Sequence, residues 1–260
     1  MDITVDQFKA AVSVPMTDAA ETFEKCQECL ASTEREARFM LQSGDSTWSE
    51  SISDHIRSAV CMEALNRTLP KIDLIQTPTG FGVVNNNTLS PASKERIERL
   101  RTELHEGWFA ELAFAQAELL EMEDYVTTTR RISFLDAPFV FQAWTRQSWA
   151  AYWNESVKRA AATLRLRTII GSQQLDYLLA RSVGSQLDSL SDIEKKAVLH
   201  CREWEQHRLA ADTEEATALE CLLAYMQEYI DSFPLYAESS YYRARKERYE
   251  NKKDSGTFFL

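Results

Sequence analysis

Asp212-Thr213-Glu214-Glu215-Ala216-Thr217-Ala218-Leu219-Glu220-Cys221-Leu222-Leu223-Ala224-Tyr225-Met226-Gln227-Glu228-Tyr229-Ile230 is the stretch that decides the fold class. Its apolar residues Leu219, Leu222, Leu223, Met226 and Ile230 recur at i, i+3, i+4, the spacing of one face of an α-helix. Acidic residues cluster at its start, and Phe233-Pro234 marks its stop. The same period recurs upstream. It predicts helices over about Phe8 to Gly44, Ser51 to Leu69 (ended by Pro70), Pro91 to His105 (with Gly107 as a break), and from Phe109 onward. Further helices are expected over Asn154 to Ile170, Gln173 to Arg181, and from a capping box at Ser191-Asp192-Ile193-Glu194 toward Leu209. Only 7 glycines and 6 prolines interrupt the 260 residues. An all-α fold follows, large enough to bury its own core without staples.

One segment departs from this pattern. Ile72-Asp73-Leu74-Ile75-Gln76, then Thr77-Pro78-Thr79-Gly80, then Phe81-Gly82-Val83-Val84 and Asn85-Asn86-Asn87 place two short apolar runs around a Pro/Gly turn. This is a β-hairpin signal over about 72–88.

An internal repeat organises the rest. Leu119-Leu120-Glu121-Met122-Glu123-Asp124-Tyr125-Val126 aligns without gaps on Leu223-Ala224-Tyr225-Met226-Gln227-Glu228-Tyr229-Ile230, and Ala59-Val60 with Cys61 is echoed by Ala197-Val198 with Cys201. The expectation is a tandem duplication, 1–130 and 131–240, with the hairpin inserted in the first copy and a basic, tyrosine-rich segment at 241–260. The aromatic-rich junction Phe134 to Trp153 is read either as core or as a permanent subunit contact. The side carrying Glu111, Glu118, Glu121 and Glu123 is read as a solvated face.

Charge and cysteine usage narrow the function. The net charge of -11 repels phosphate backbones and anionic membranes over the surface as a whole, so nucleic-acid contact must be local. Met1-Asp2 and its neighbours carry acid where a signal peptide carries base, and no apolar run approaches the roughly 18 residues of a membrane span. The expected setting is the cytosol, or a particle assembled there. Cys26, Cys29, Cys61, Cys201 and Cys221 are odd in number and scattered, as reduced thiols are.

Catalytic and metal-binding patterns are weak. Cys26-Gln27-Glu28-Cys29 stands without a second ligand pair, and reads as two thiols on one helix face. His55, His105, His200 and His207 form neither H-E-x-x-H nor a di-iron pattern, and Glu203-Trp204-Glu205-Gln206-His207 has the wrong spacing. Gly80-Phe81-Gly82 lacks the third glycine of a dinucleotide loop, and no G-x-S-x-G elbow occurs. The chain is therefore expected to have no catalytic, cofactor or metal site, and to work by binding.

Two surfaces are the candidates. The hairpin offers strand edges at Thr79, Gly80, Phe81, Gly82 and Val83. At the other end Tyr241 and Tyr242 lead a basic stretch of Arg243, Arg245, Lys246, Arg248, Lys252 and Lys253, which is read either as facing DNA or as a solvated helix pairing with Glu247 and Glu250. Terminal Phe258, Phe259 and Leu260 are expected to dock on this subunit or the next.

Thr77-Pro78-Thr79-Gly80-Phe81-Gly82-Val83-Val84, Ser90-Pro91-Ala92-Ser93-Lys94-Glu95-Arg96, Phe233-Pro234-Leu235-Tyr236 with Ser239, and Glu250-Asn251-Lys252-Lys253-Asp254-Ser255-Gly256 together resemble a family of bacteriophage and prophage proteins of gut anaerobes. The likeness runs over most of the chain. No activity is attached to that family. It is similar in turn to the small helical head–tail connectors, or adaptors, that form a ring beneath the portal. The resemblance implies a virion protein of the neck, present in the host cytoplasm during assembly, with its own copies, the portal and tail or neck proteins as partners. It implies a passing contact with packaged DNA and no membrane. The other readings are a prophage-encoded helical binding or regulatory module and, third, an enzyme with a site between the helical units.

Overall fold

A computed structural model describes residues 1–13, 18–43, 48–72, 74–77, 80–83 and 94–254, with residues 74–77, 80–83 and 248–254 described as backbone. The chain is built almost wholly of helices and divides into two compact units, Met1–Glu118 and Leu119–Leu260. The boundary falls after Glu118 rather than after residue 130, because residues 119–126 pack on the second unit. The backbone of Leu120 and the side chain of Val126 lie against Gly184.

The first unit contains α1 (Val5–Val12), α2 (Ala19–Met40), α3 (Glu50–Ile72) and most of α4 (Lys94–Leu120). The helical region expected from Phe8 to Gly44 contains two helices. Thr4 opens α1 with a capping box to Gln7, and the Asp18 carboxylate opens α2 by accepting from Glu21 N at 2.9 Å. Ser13, with φ of 48°, takes the chain out of α1. Gly44 lies outside the described residues. Pro70 does not end α3, which runs two residues further, a position late enough that only the final turn meets the ring.

Gly107 does not break α4 either. A Cβ there would stand 2.6 Å from Met62 Sδ, so the glycine marks a close approach of α3 and α4. These two helices run antiparallel along a polar seam. Ser51 Oγ donates to Glu118 at 2.6 Å, His55 Nδ1 lies 2.6 Å from Glu111, His105 Nδ1 lies 3.2 Å from Glu63, and Arg101 Nε donates to Asn66 Oδ1 at 3.3 Å. Phe8, Phe23, Cys26, Cys61, Leu65 and Leu104 form the apolar core beneath.

Leu74–Thr77 (β1) and Gly80–Val83 (β2) lie between α3 and α4 in the chain. They are antiparallel in the register Leu74↔Val83, Ile75↔Gly82, Gln76↔Phe81 and Thr77↔Gly80.

The second unit contains α5 (Glu123–Thr128), α6 (Pro138–Thr145), α7 (Trp149–Asn154), α8 (Ser156–Ile170), α9 (Ser172–Ala180), α10 (Asp192–Ala210), α11 (Glu215–Glu228), α12 (Pro234–Ala237) and α13 (Ser240–Asp254). The Ser191 hydroxyl and the Glu194 carboxylate exchange hydrogen bonds with each other's backbone N–H, the capping box read from sequence. Helix α10 is the axis of the unit and packs on α6, α8, α9 and α11. Its Ala197, Val198, Cys201 and Trp204 meet Leu222 and Met226 of α11 and Leu166 and Ile170 of α8. Each large apolar side chain so enclosed contributes about 1.5–3 kcal/mol.

The aromatic segment 134–153 divides. Phe134, Phe141 and Tyr152 are buried, whereas Phe139 is exposed and touches Trp149 with ring centroids 4.9 Å apart. The duplication finds no support in the helical plan. Leu119–Val126 breaks between α4 and α5 after its first residues, whereas Leu223–Glu228 is continuous helix, and both segments lie in the second unit.

Candidate functional site

The strand pair is two-stranded, so each strand has one edge engaged and carries no further strand on the other among the described residues. A free edge is a row of backbone donors and acceptors able to take a partner strand. Gly80, Phe81, Gly82 and Val83 belong to β2. Thr79, Phe258, Phe259 and Leu260 lie outside the described residues.

At the C-terminal segment, Tyr241 and Tyr242 are half-buried against the core of the second unit. The Tyr242 ring lies 5.1 Å from that of Tyr236, and its hydroxyl accepts from Gln227 Nε2 at 3.3 Å. Tyr236 is buried, which pushes its phenol up, while the charge of Arg245 acts in the opposite sense. The tyrosines thus hold the start of α13 down and leave Arg243, Arg245 and Lys246 exposed. Arg248, Lys252 and Lys253 continue the same helix.

The strongest buried polar cluster surrounds Glu205. Its carboxylate accepts from Ser133 Oγ at 2.5 Å, Phe134 N at 2.9 Å, Leu135 N at 3.3 Å, and the Thr163 hydroxyl. One turn back, Arg202 donates to Phe134 O and Ser182 O at 3.2 and 2.5 Å. Burial raises the Glu205 carboxyl to about 7 in spite of these donors. Arg159 donates to Tyr152 O and reaches Asp136 Oδ1 at 3.5 Å. Asp136 in turn accepts from Ile132 N and Tyr152 OH. These groups tie the irregular 131–136 backbone to α8 and α10, satisfying amides that no helix satisfies. Glu205 is fully enclosed, so a substrate reaches it only if the core opens.

Elsewhere Cys26, Cys61 and Cys201 are buried, Cys29 is half-buried and Cys221 is exposed. Cys26 and Cys29 lie in the first core as free thiols, and burial raises Cys26. Cys61 is pushed up by burial to about 12. Burial also presses upward on Glu63, but hydrogen bonds from Asn66, Arg67 and His105 outweigh it and hold the carboxyl low. Ser51 donates to the Glu118 carboxylate at 2.6 Å, and His55 Nε2 lies 3.6 Å from the same carboxylate.

One feature of the second unit carries little signal in the sequence. Arg130, Arg131, Arg167 and Arg181 line a cleft of about 500 Å³ in the second unit. Thr127 to Arg131 reads as a polar stretch, and its one signal is two arginines with no acid among the five residues.

The sequence profile of a family of unknown function (DUF6712) matches residues 23–126, from within α2 through α3, the strand pair and α4 into α5. Neither the curated proteins nor the solved structures give a match.

Proposed function

We propose that the chain is a structural component of a phage neck, a head–tail connector that binds the portal and copies of itself in a ring and catalyses nothing. The observation that carries this reading is apolar surface left in water. Val157 is 79% exposed and Leu164 58%, seven residues apart on one side of α8, and Phe39 at the end of α2 is 84% exposed. Side chains of this kind are covered at subunit contacts. A strand pair that carries no third strand among the described residues is a second element suited to a neighbour.

Sedimentation and native mass spectrometry of the purified chain, alone and with the portal protein of the same phage, test it. A discrete ring or portal-bound oligomer is expected, reduced to folded monomer by Val157→Glu with Leu164→Glu. Deleting residues 255–260 or replacing Phe81 and Gly82 is expected to block assembly in the same way. A wild-type chain monomeric under both conditions, or a charged variant that assembles unchanged, overturns the reading.

A further inference from the structure

We propose that the arginine-lined cleft of the second unit binds a phosphate-bearing anion. The site is assembled from three places in the chain: Arg130 and Arg131 after α5, Arg167 near the end of α8, and Arg181 after α9. Asp176 is the one acid among the described residues lining the cleft, so four guanidiniums face a single carboxylate on a protein whose net charge is -11.

Two of the four guanidiniums, those of Arg131 and Arg181, are held in place without an ion pair, and a third, that of Arg167, is held by one. Arg131 is only 7% exposed, yet it has no carboxylate partner among the described residues. It donates to Thr129 Oγ1, lies 5.6 Å from the Tyr125 ring, and leaves its buried Nε without an acceptor. Arg181 is fixed by donation to Tyr177 O at 3.2 Å and lies 4.3 Å over the Tyr177 ring. Glu194, hydrogen-bonded by Ser191 and Tyr177, also feels the charge of Arg181 but does not line the cleft. Arg167 alone is paired, through both nitrogens to Asp176 at 2.6 and 3.2 Å, which orients its fork.

A buried cation without a counter-charge is unfavourable, and the open cleft beside it gives an anion access. Planar guanidinium forks match the oxygens of a phosphate, and fixing them beforehand removes the cost of ordering them on binding. The volume is that of a small-molecule site and accommodates a pyrophosphate or a stretch of phosphodiester. The inference holds whether or not the chain forms a ring.

The test is calorimetric titration of the full chain with inorganic pyrophosphate, and anisotropy with a labelled DNA duplex at several salt concentrations. Arg130→Gln with Arg181→Gln is the main variant, and Arg130→Glu alone, at an exposed position, is the second, each checked for native circular dichroism. Binding is expected to weaken by about tenfold per guanidinium removed. Pyrophosphate binding that the variants abolish assigns the site to free phosphates. Duplex binding that the variants abolish, with affinity falling as salt rises, assigns it to phosphodiesters. Wild-type protein that binds neither probe, or a folded variant that binds as well as wild type, overturns the proposal.

Discussion

Glu205 accepts a hydrogen bond from Ser133 Oγ at 2.5 Å inside the second unit, where neither residue has any exposed surface. The contact joins the middle of α10 to a backbone segment that belongs to no helix, and its strength depends on the protonation of one carboxyl. Burial raises that carboxyl from the ordinary 4.5 to about 7, so the folded chain keeps a proton that the unfolded chain releases. Stability therefore falls as the pH climbs through the window from 4.5 to about 7, by an amount on the order of 3 kcal/mol, and is level above it. Glu205→Gln cannot ionise and still offers an oxygen to the two amides. Urea unfolding at pH 5 and pH 8 is expected to show the variant gaining on wild type by about that amount, and parallel pH profiles would refute this account.

Gly184 and Gly107 separate two reasons for a glycine. At Gly184 the backbone is left-handed, with φ of 57°, and an added Cβ would stand 2.1 Å from Leu120 O, a backbone atom that cannot swing aside. Gly184→Ala is expected to cost about 2–4 kcal/mol from conformational strain and overpacking together. At Gly107 the obstacle is a flexible methionine side chain, and alanine is favoured in a helix interior by about 1 kcal/mol. Gly107→Ala is expected to be near neutral in the same unfolding assay.

Ser191→Ala removes the acceptor for Glu194 N and half of the capping box. A loss of about 1 kcal/mol is expected, read as a lower urea midpoint with the slope unchanged.

What sequence reading captured and missed follows the range of the interactions. The capping box at Ser191 and Glu194 and the apolar stripe through Leu222 and Met226 depend on residues a few positions apart, and both were legible. The continuity of α4 through Gly107 was not, because the reason is Met62, forty-five positions earlier and on another helix. The same holds for the unit boundary, set by the approach of Leu120 to Gly184. Glu205 reads from sequence only as part of a metal pattern of wrong spacing, because its partners Ser133 and Thr163 come from outside its own helix. The arginine cleft was hidden for that reason too: Arg131, Arg167 and Arg181 are far apart in sequence, and only the packing of α8 and α9 gathers them.

Asp136 and Arg159 offer the sharpest test of whether the 131–136 segment is held by charge. Arg159 is 2% exposed, with its guanidinium carbon 4.0 Å from the centre of the Tyr152 ring, and Asp136 is its carboxylate partner. Asp136→Asn keeps the shape and can still accept from Ile132 N, but leaves a buried guanidinium without an opposite charge. A loss of about 3 kcal/mol is expected. Arg159→Met instead leaves Asp136 buried with Ile132 N and Tyr152 OH as donors, a smaller penalty because those donors remain. The double variant removes both charges, so its loss is expected to fall short of the two single losses added together. Additive losses would mean that the two residues act independently, and that the segment is held by its backbone contacts to Glu205 and Arg202 alone.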